Sequence, residues 1–317
     1  MKNTLTAGTG FRNKNIDTTM TKILDRTKVI LRLTKAEIVL LEAITLAAGF
    51  MIGHPFELPF DWSRFILALT GVSCLALAAG ALNQIQEREQ DAQMDRTRDR
   101  PLPSGRVTLA SAWSLTLFLL AFGTLLLSWV STPVLILGWT AVISYNGLYT
   151  LWWKKKLAFA AIPGAIPGAL PIWIGFVAAN GSLTDLRGYY LFAILFFWQM
   201  PHFWVLALKY SEDYHQGGFP TLPVAKGTGV TRFQITLWCL AYAALGLLSP
   251  LFFPIGILGL TGSLLTSTWL IFELLRFLYH PAQKTWLRFF LSINFSMMVY
   301  LFVITADLWS IWLHPRS

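Results

Sequence analysis

Asn83, Glu87, Asp91 and Asp95 recur at every fourth position, where a long apolar run over residues 65–82 gives way to polar sequence. On a helix each such step advances about 40° past a full turn, so neighbours share one stripe. Carboxylates on one stripe at a membrane edge repel each other, and a hard divalent cation with oxygen ligands removes that repulsion. Arg96, Arg98, Arg100 and Arg106 interleave or follow. The guanidinium fork is the preferred side chain for phosphate. Acids for Mg²⁺ beside arginines for phosphate read as a diphosphate site, with Asn83, Glu87 and Asp91 facing the metal and Asp95 farther round the helix. A solvated helix end laced with intrahelical salt bridges would also explain the charges. It would not explain Asn83, which lies in the apolar end of the run and needs partners.

A second cluster, Lys209-Tyr210-Ser211-Glu212-Asp213-Tyr214-His215, follows a later apolar segment. There Asp213 would ligate a second Mg²⁺ and Lys209 would hold phosphate, although membrane-proximal loops often look like this without such a role. Its weight comes from pairing with the first cluster. Tyr145, Tyr149, Thr150 and Lys154 form a third set, with the two tyrosines four apart. Interfacial aromatics commonly form a belt. A tyrosine facing a cavity would instead stabilise an allylic cation through its ring. His202, in Trp198-Gln199-Met200-Pro201-His202-Phe203-Trp204, is the histidine lying well inside an apolar segment. It is either a functional group or a partner for a carbonyl freed by Pro201.

The elements that must carry these residues are membrane helices. Of the 317 residues 55% are hydrophobic and 13% charged, which does not describe a soluble domain. Continuously apolar segments of about 18 or more residues recur, which fits an all-α polytopic bundle and not an alternating barrel. Nine spans are expected, over residues 37–52, 64–85, 108–130, 133–153, 157–179, 188–208, 233–249, 255–278 and 286–313. Residues 1–32 read as a flexible basic arm with no cleavable signal, and residues 33–317 as one intramembrane domain whose polar loops cap it. Thr108 is the expected N-cap of the third span. Pro163, Pro167 and Pro171 predict a kinked or locally unwound fifth span, covered by protein. Gly164 and Gly168 permit close helix contact there. The stretch from Lys209 to Thr231 is expected as a second polar loop. All but three of the 25 lysines and arginines (Arg64, Arg187 and Arg316) fall in the N-terminal arm or in alternate loops. That bias predicts a cytoplasmic N-terminus and an outside C-terminus, so the +9 charge reflects topology and not nucleic acid. Cys74 and Cys239 lie in apolar segments and imply neither zinc nor a disulfide framework. Glu42 and Glu273 are the deep intramembrane acids that an ion-coupled carrier, the reading from another functional class, would use.

The run Asn83-x3-Glu87-x3-Asp91-x2-Met94-x-Arg96-Thr97-x2-Arg100-Pro101-Leu102-x-Ser104-Gly105 resembles the first aspartate-rich motif of the UbiA superfamily of intramembrane prenyltransferases. Leu33-Thr34-Lys35, Tyr149-Thr150-x2-Trp153-Lys154, Pro201-His202-Phe203-Trp204 and Asp213-Tyr214-x4-Phe219-Pro220-x-Leu222-Pro223 are similar to its haem-modifying branch. Glu87 stands where the family usually has Asp. The resemblance implies transfer of farnesyl from farnesyl diphosphate to a vinyl group of haem B, giving haem O for terminal oxidases. Mg²⁺ would be held by Asn83, Glu87, Asp91 and Asp213, and the diphosphate charge shared by Lys35, Arg96, Arg100, Lys154 and Lys209. His202 would contact the haem iron or a propionate. It further implies a bacterial inner-membrane location and contact with haem A synthase or terminal-oxidase assembly. A quinone precursor or other aromatic compound is the alternative acceptor.

Overall fold

The computed structural model describes residues 24–280 and 283–313. The basic arm expected over residues 1–32 therefore lies outside the described residues as far as residue 23; residues 24–33 form a helix, α1. His314 and Arg316 are likewise outside. The remaining helices are α2 (Ala36–Gly53), α3 (Trp62–Gln86), α4 (Arg88–Gln93), α5 (Leu109–Val130), α6 (Thr132–Lys156), α7 (Ala161–Asn180), α8 (Leu186–Lys209), α9 (Ser211–Gln216), α10 (Leu222–Leu247), α11 (Ile257–Tyr279) and α12 (Gln283–Leu313). Among the described residues, nine of these are long and apolar enough to cross a membrane, at the places expected. Thr108 caps α5 as anticipated, its hydroxyl accepting from the Ser111 N–H.

Two apolar cores share one central helix. Leu46, Phe50, Val72, Leu75, Leu127 and Val134 form one core, and Tyr190, Leu191, Trp204, Tyr242, Leu270 and Tyr300 belong to the other. α7 contributes to both, through Leu170 and Ile174 on one side and Ile172 and Phe176 on the other. α2 crosses α7 at backbone contact: a Cβ on Gly49 would stand 2.0 Å from the Ile172 carbonyl oxygen, and one on Gly175 would stand 2.0 Å from that of Leu46. Small residues are what allow such an approach between membrane helices.

Two expectations are corrected, and one feature was not anticipated. Of the kinked and unwound alternatives for the fifth span, the unwound one is not adopted: α7 is helical from Ala161 to Asn180, with Pro167 and Pro171 inside it. Pro163 lies in its first turn, where its missing N–H leaves no bond unmade, and Gln199 donates to the Ala165 carbonyl from α8 (3.0 Å). Residues 222–231 are helical rather than part of a loop. Pro223 begins α10, and Gly227, at φ +82°, joins its two segments across a kink. Finally, Ile143–Trp153 of α6 is a π-helix. Such wide turns are rare and concentrate at functional sites.

Candidate active site

α3 presents Asn83 in its last turn and breaks at Glu87, whose backbone (φ −105°, ψ 9°) is not helical. The Glu87 N–H still reaches the Asn83 carbonyl (2.9 Å) and the Asp91 N–H reaches that of Glu87 (2.8 Å). The fourth-residue stripe therefore survives the break, and all three side chains are buried. The chain then doubles back: the Thr97 hydroxyl donates to the Asp91 carbonyl (2.9 Å), and Arg100 returns to Asp91.

Each oxygen donor on the stripe meets a cation from elsewhere. Arg100 Nη1 donates to both Asp91 carboxylate oxygens (2.8 and 2.7 Å). Lys154 Nζ, at the end of the π-helix, does the same to Glu87 (2.7 and 2.8 Å). Lys35 Nζ donates to Asn83 Oδ1 (2.5 Å) and to the Tyr145 hydroxyl (3.2 Å). The Asn83 amide in turn donates to the Thr150 hydroxyl (3.1 Å). Two of these pairs, Glu87–Lys154 and Asn83–Lys35, join segments far apart in sequence, and the third ties Asp91 to a residue nine positions on across a turn of the chain, unlike the intrahelical bridges of a solvated helix end. Burial, then the nearby Arg100, lowers the Lys35 ammonium to about 7. Burial pushes the Glu87 carboxyl up, but Lys154 and Lys35 more than offset it and hold it below the ordinary value. Arg96 lines the same cavity, so Lys35, Arg96, Arg100 and Lys154 all face the space beside Glu87 and Asp91, groups that suit an anion.

This array lines a cavity of about 920 Å³. Val72, Leu75, Val142 and Ile174 form part of its apolar wall. Tyr145 and Tyr149 also line it, their rings 6.0 Å apart and nearly parallel at 15°. Gly164 gives Tyr149 its place, since a Cβ there would stand 2.5 Å from the ring. The two polar loops do meet over the cavity: Met94 packs with Tyr214 and Phe219, and the Arg96 guanidinium lies 5.0 Å from the Tyr210 ring.

Lys35, Asn83, Glu87, Asp91, Arg96, Arg100, Tyr145, Tyr149 and Lys154 are thus brought together. Asp213, Lys209 and His202 are not among the lining residues. On α9 it is Tyr214, one residue on, that turns inward and is buried. Lys209 lies over the Trp286 ring (4.1 Å). His202 faces α12, between Trp198 (4.9 Å) and Phe290 (5.0 Å), with Nδ1 lacking a hydrogen-bond partner. Asp95 pairs with Arg98 at the exposed surface (3.1 Å), and Arg106 donates to the Asp99 carbonyl there. Sequence reasoning missed Gln199, Phe203 and Tyr214 as lining residues, and left Glu42 without a place in the site.

Among the described residues no three His, Cys, Asp or Glu side chains cluster closely enough to hold a metal alone. Mg²⁺, however, is commonly bound by one or two carboxylates together with substrate phosphates. Asn83, Glu87 and Asp91 supply hard oxygen donors of that kind, so they fit a magnesium ion that arrives with a diphosphate.

A family model described as the UbiA prenyltransferase family matches residues 43–297. The chain belongs to the UbiA prenyltransferase family. Similar UbiA-type relatives include the protoheme IX farnesyltransferase of Bdellovibrio bacteriovorus, 40% identical, with 88% of this chain and 95% of that protein covered. That of Aquifex aeolicus is 35% identical over 86% and 93% of the two chains. A solved digeranylgeranylglyceryl phosphate synthase shares the fold at a TM-score of 0.73 and 20% identity, covering 90% of this chain and 99% of that one. A UbiA homologue from Archaeoglobus fulgidus, solved bound to GPP and Mg²⁺, does so at 0.59 and 16% identity, over 87% and 99%. This UbiA chain is a multi-pass membrane protein.

Proposed function

We propose that this protein transfers a farnesyl group from farnesyl diphosphate to a vinyl group of haem B, giving haem O. The observation that carries the reaction type is the buried array of Glu87–Lys154, Asp91–Arg100 and Asn83–Lys35 on an apolar cavity. The acceptor rests on the names of the relatives, 32–40% identical over most of the chain.

Magnesium, held by Asn83, Glu87 and Asp91, would neutralise charge on the departing diphosphate. The chain's own residues do the rest. A phosphate brought to the two carboxylates meets Arg100 and Lys154 already in place, with Lys35 and Arg96 on the same cavity. An anion also restores full charge to Lys35, whose burial disfavours the ammonium. Cations fixed in a water-poor cavity stabilise a leaving group strongly and need no reorganisation as charge develops. The Tyr145 and Tyr149 rings face the cavity where an allylic cation forms and stabilise it through their π electrons. The apolar walls keep water from that cation until the vinyl carbon attacks. Water then adds to the cation left on the haem side.

The charge bias supports an inner-membrane orientation with the N-terminus and the array at the cytoplasmic face. The product's class of user, a haem A synthase or terminal oxidase in assembly, is the expected partner. Purified protein with Mg²⁺, labelled farnesyl diphosphate and either haem B or a quinone precursor tests the reading. Label is expected on haem. Label on the quinone precursor and none on haem would overturn it.

A further inference from the structure

Glu42 is the acid for which the steps above have no use. It lies on α2, seven residues beyond Lys35, and so about 10 Å deeper along the helix axis. It lines the same cavity. Among the described residues the side-chain hydrogen bond made to it falls on its backbone carbonyl, from the Thr45 hydroxyl (2.9 Å). Among the described residues its carboxylate has no salt-bridge partner, whereas Glu87 and Asp91 are each held by a cation. An isoprenoid tail gains nothing from a carboxyl, and an unpaired acid at membrane depth is unfavourable unless it has a task.

The proposed reaction needs one group that the array cannot supply. When water adds to the haem-side cation it must lose a proton. Arg96 and Arg100 cannot take it, Lys35 and Lys154 are held as ammonium ions by the diphosphate and by Glu87, and the carboxylates of Glu87 and Asp91 are occupied. The other lining acids, Glu37 and Asp99, lie in the first turn of α2 and on the exposed loop, at the rim. We propose that Glu42 is the general base of this last step. The inference rests on the functional reading above. The C1–O bond of farnesyl diphosphate breaks, its electron pair leaving with the diphosphate. The terminal vinyl carbon bonds to C1, placing the positive charge on the carbon next to the porphyrin ring. The oxygen of water bonds that carbon, and its proton passes to the Glu42 carboxylate, which returns it to solvent.

Of the helices that line the cavity with Glu42, α3, α7 and α8 bring no ionisable group, α6 brings Tyr145, Tyr149 and Lys154, α9 brings Tyr214, and α2 itself brings Glu37, with Lys35 on the approach to it. Tyr145 lines the same cavity and accepts a hydrogen bond from Lys35, a route for the proton toward the mouth.

The test compares wild type, Glu42→Gln and Glu42→Asp in detergent with Mg²⁺, labelled farnesyl diphosphate and haem B, following kcat and KM against pH. With the base removed, Glu42→Gln should lower kcat on the order of 10²-fold, the low end for general-base catalysis. Its KM for farnesyl diphosphate should stay near that of wild type, and the acidic limb of the kcat profile should vanish. Glu42→Asp should recover part of kcat with the limb displaced. An unchanged kcat and profile in Glu42→Gln, or a change in KM alone, overturns the base. If Glu42→Gln does not fold, an Glu42→Asp profile identical to wild type does the same. A wild type that never labels haem removes the functional reading itself, which is a separate outcome.

Discussion

Replacing Asp91 by Asn keeps the shape of the side chain and removes its charge. The Asp91 carboxylate is 1% exposed and takes two bonds from one Arg100 nitrogen, while Arg100 is 25% exposed toward the cavity. Breaking a fully buried pair by removing one partner costs roughly 3–5 kcal/mol. Here Asn keeps one acceptor oxygen and water reaches Arg100, so the loss of stability should be smaller, about 2–3 kcal/mol, near the value of one charge-assisted bond. The effect on the reaction is separate. Loss of a preorganised charge at the leaving group should slow diphosphate release by about 10²–10³-fold. Thermal unfolding in detergent reads the first quantity and release of labelled diphosphate the second. The double variant Asp91→Asn with Arg100→Gln should unfold with less loss than the two singles added, because the second change removes the cation left stranded by the first. An Asp91→Asn protein that melts like wild type and releases diphosphate within about tenfold of it would refute both the pair and its role.

Other variants probe the frame. Gly49→Ala places a Cβ 2.0 Å from the Ile172 carbonyl oxygen; overpacking of this kind should cost about 1–3 kcal/mol, read as a lower melting temperature. Asp307 Oδ2 accepts the N–H groups of Gly256 (2.5 Å) and Gly259 (3.1 Å), capping α11 from α12. Asp307→Ala should lose about 1–2 kcal/mol of stability with turnover per folded molecule unchanged. The Glu87 carboxyl lies below its ordinary 4.5, so the stability it contributes is complete above that pH and lost as pH falls. Lys154→Gln removes the strongest offset, and acid unfolding of the chelator-treated protein should begin at higher pH.

The apolar runs and their polar breaks are enough to locate the spans, because a bilayer demands a minimum length of apolar helix whatever the packing. The stripe Asn83, Glu87, Asp91 was legible for the same reason: helical spacing is local. Which cation meets which acid was not. Lys154 and Glu87 are brought together only by the docking of α6 on α3. The choice of Tyr214 over Asp213 as the inward residue depends on how a six-residue helix rotates against Phe203 and Phe219, a tertiary contact with no period to reveal it. The π-helix was hidden because its side chains could equally be written on an ordinary helix. Glu42 was visible as an acid at depth, but its place on the same cavity as Lys35 emerges only once α2 is docked on α7.

Eleven residues wound one bond wider than usual make the fourth span intolerant of changes in length. Deleting any one of residues 143–153 would let the stretch relax to ordinary pitch and rotate everything beyond it by about 100° relative to what precedes it. Tyr145 and Lys154 would then no longer serve one chamber, although every side chain named here would still be present. In this segment the chemistry is encoded as much by residue count as by residue type.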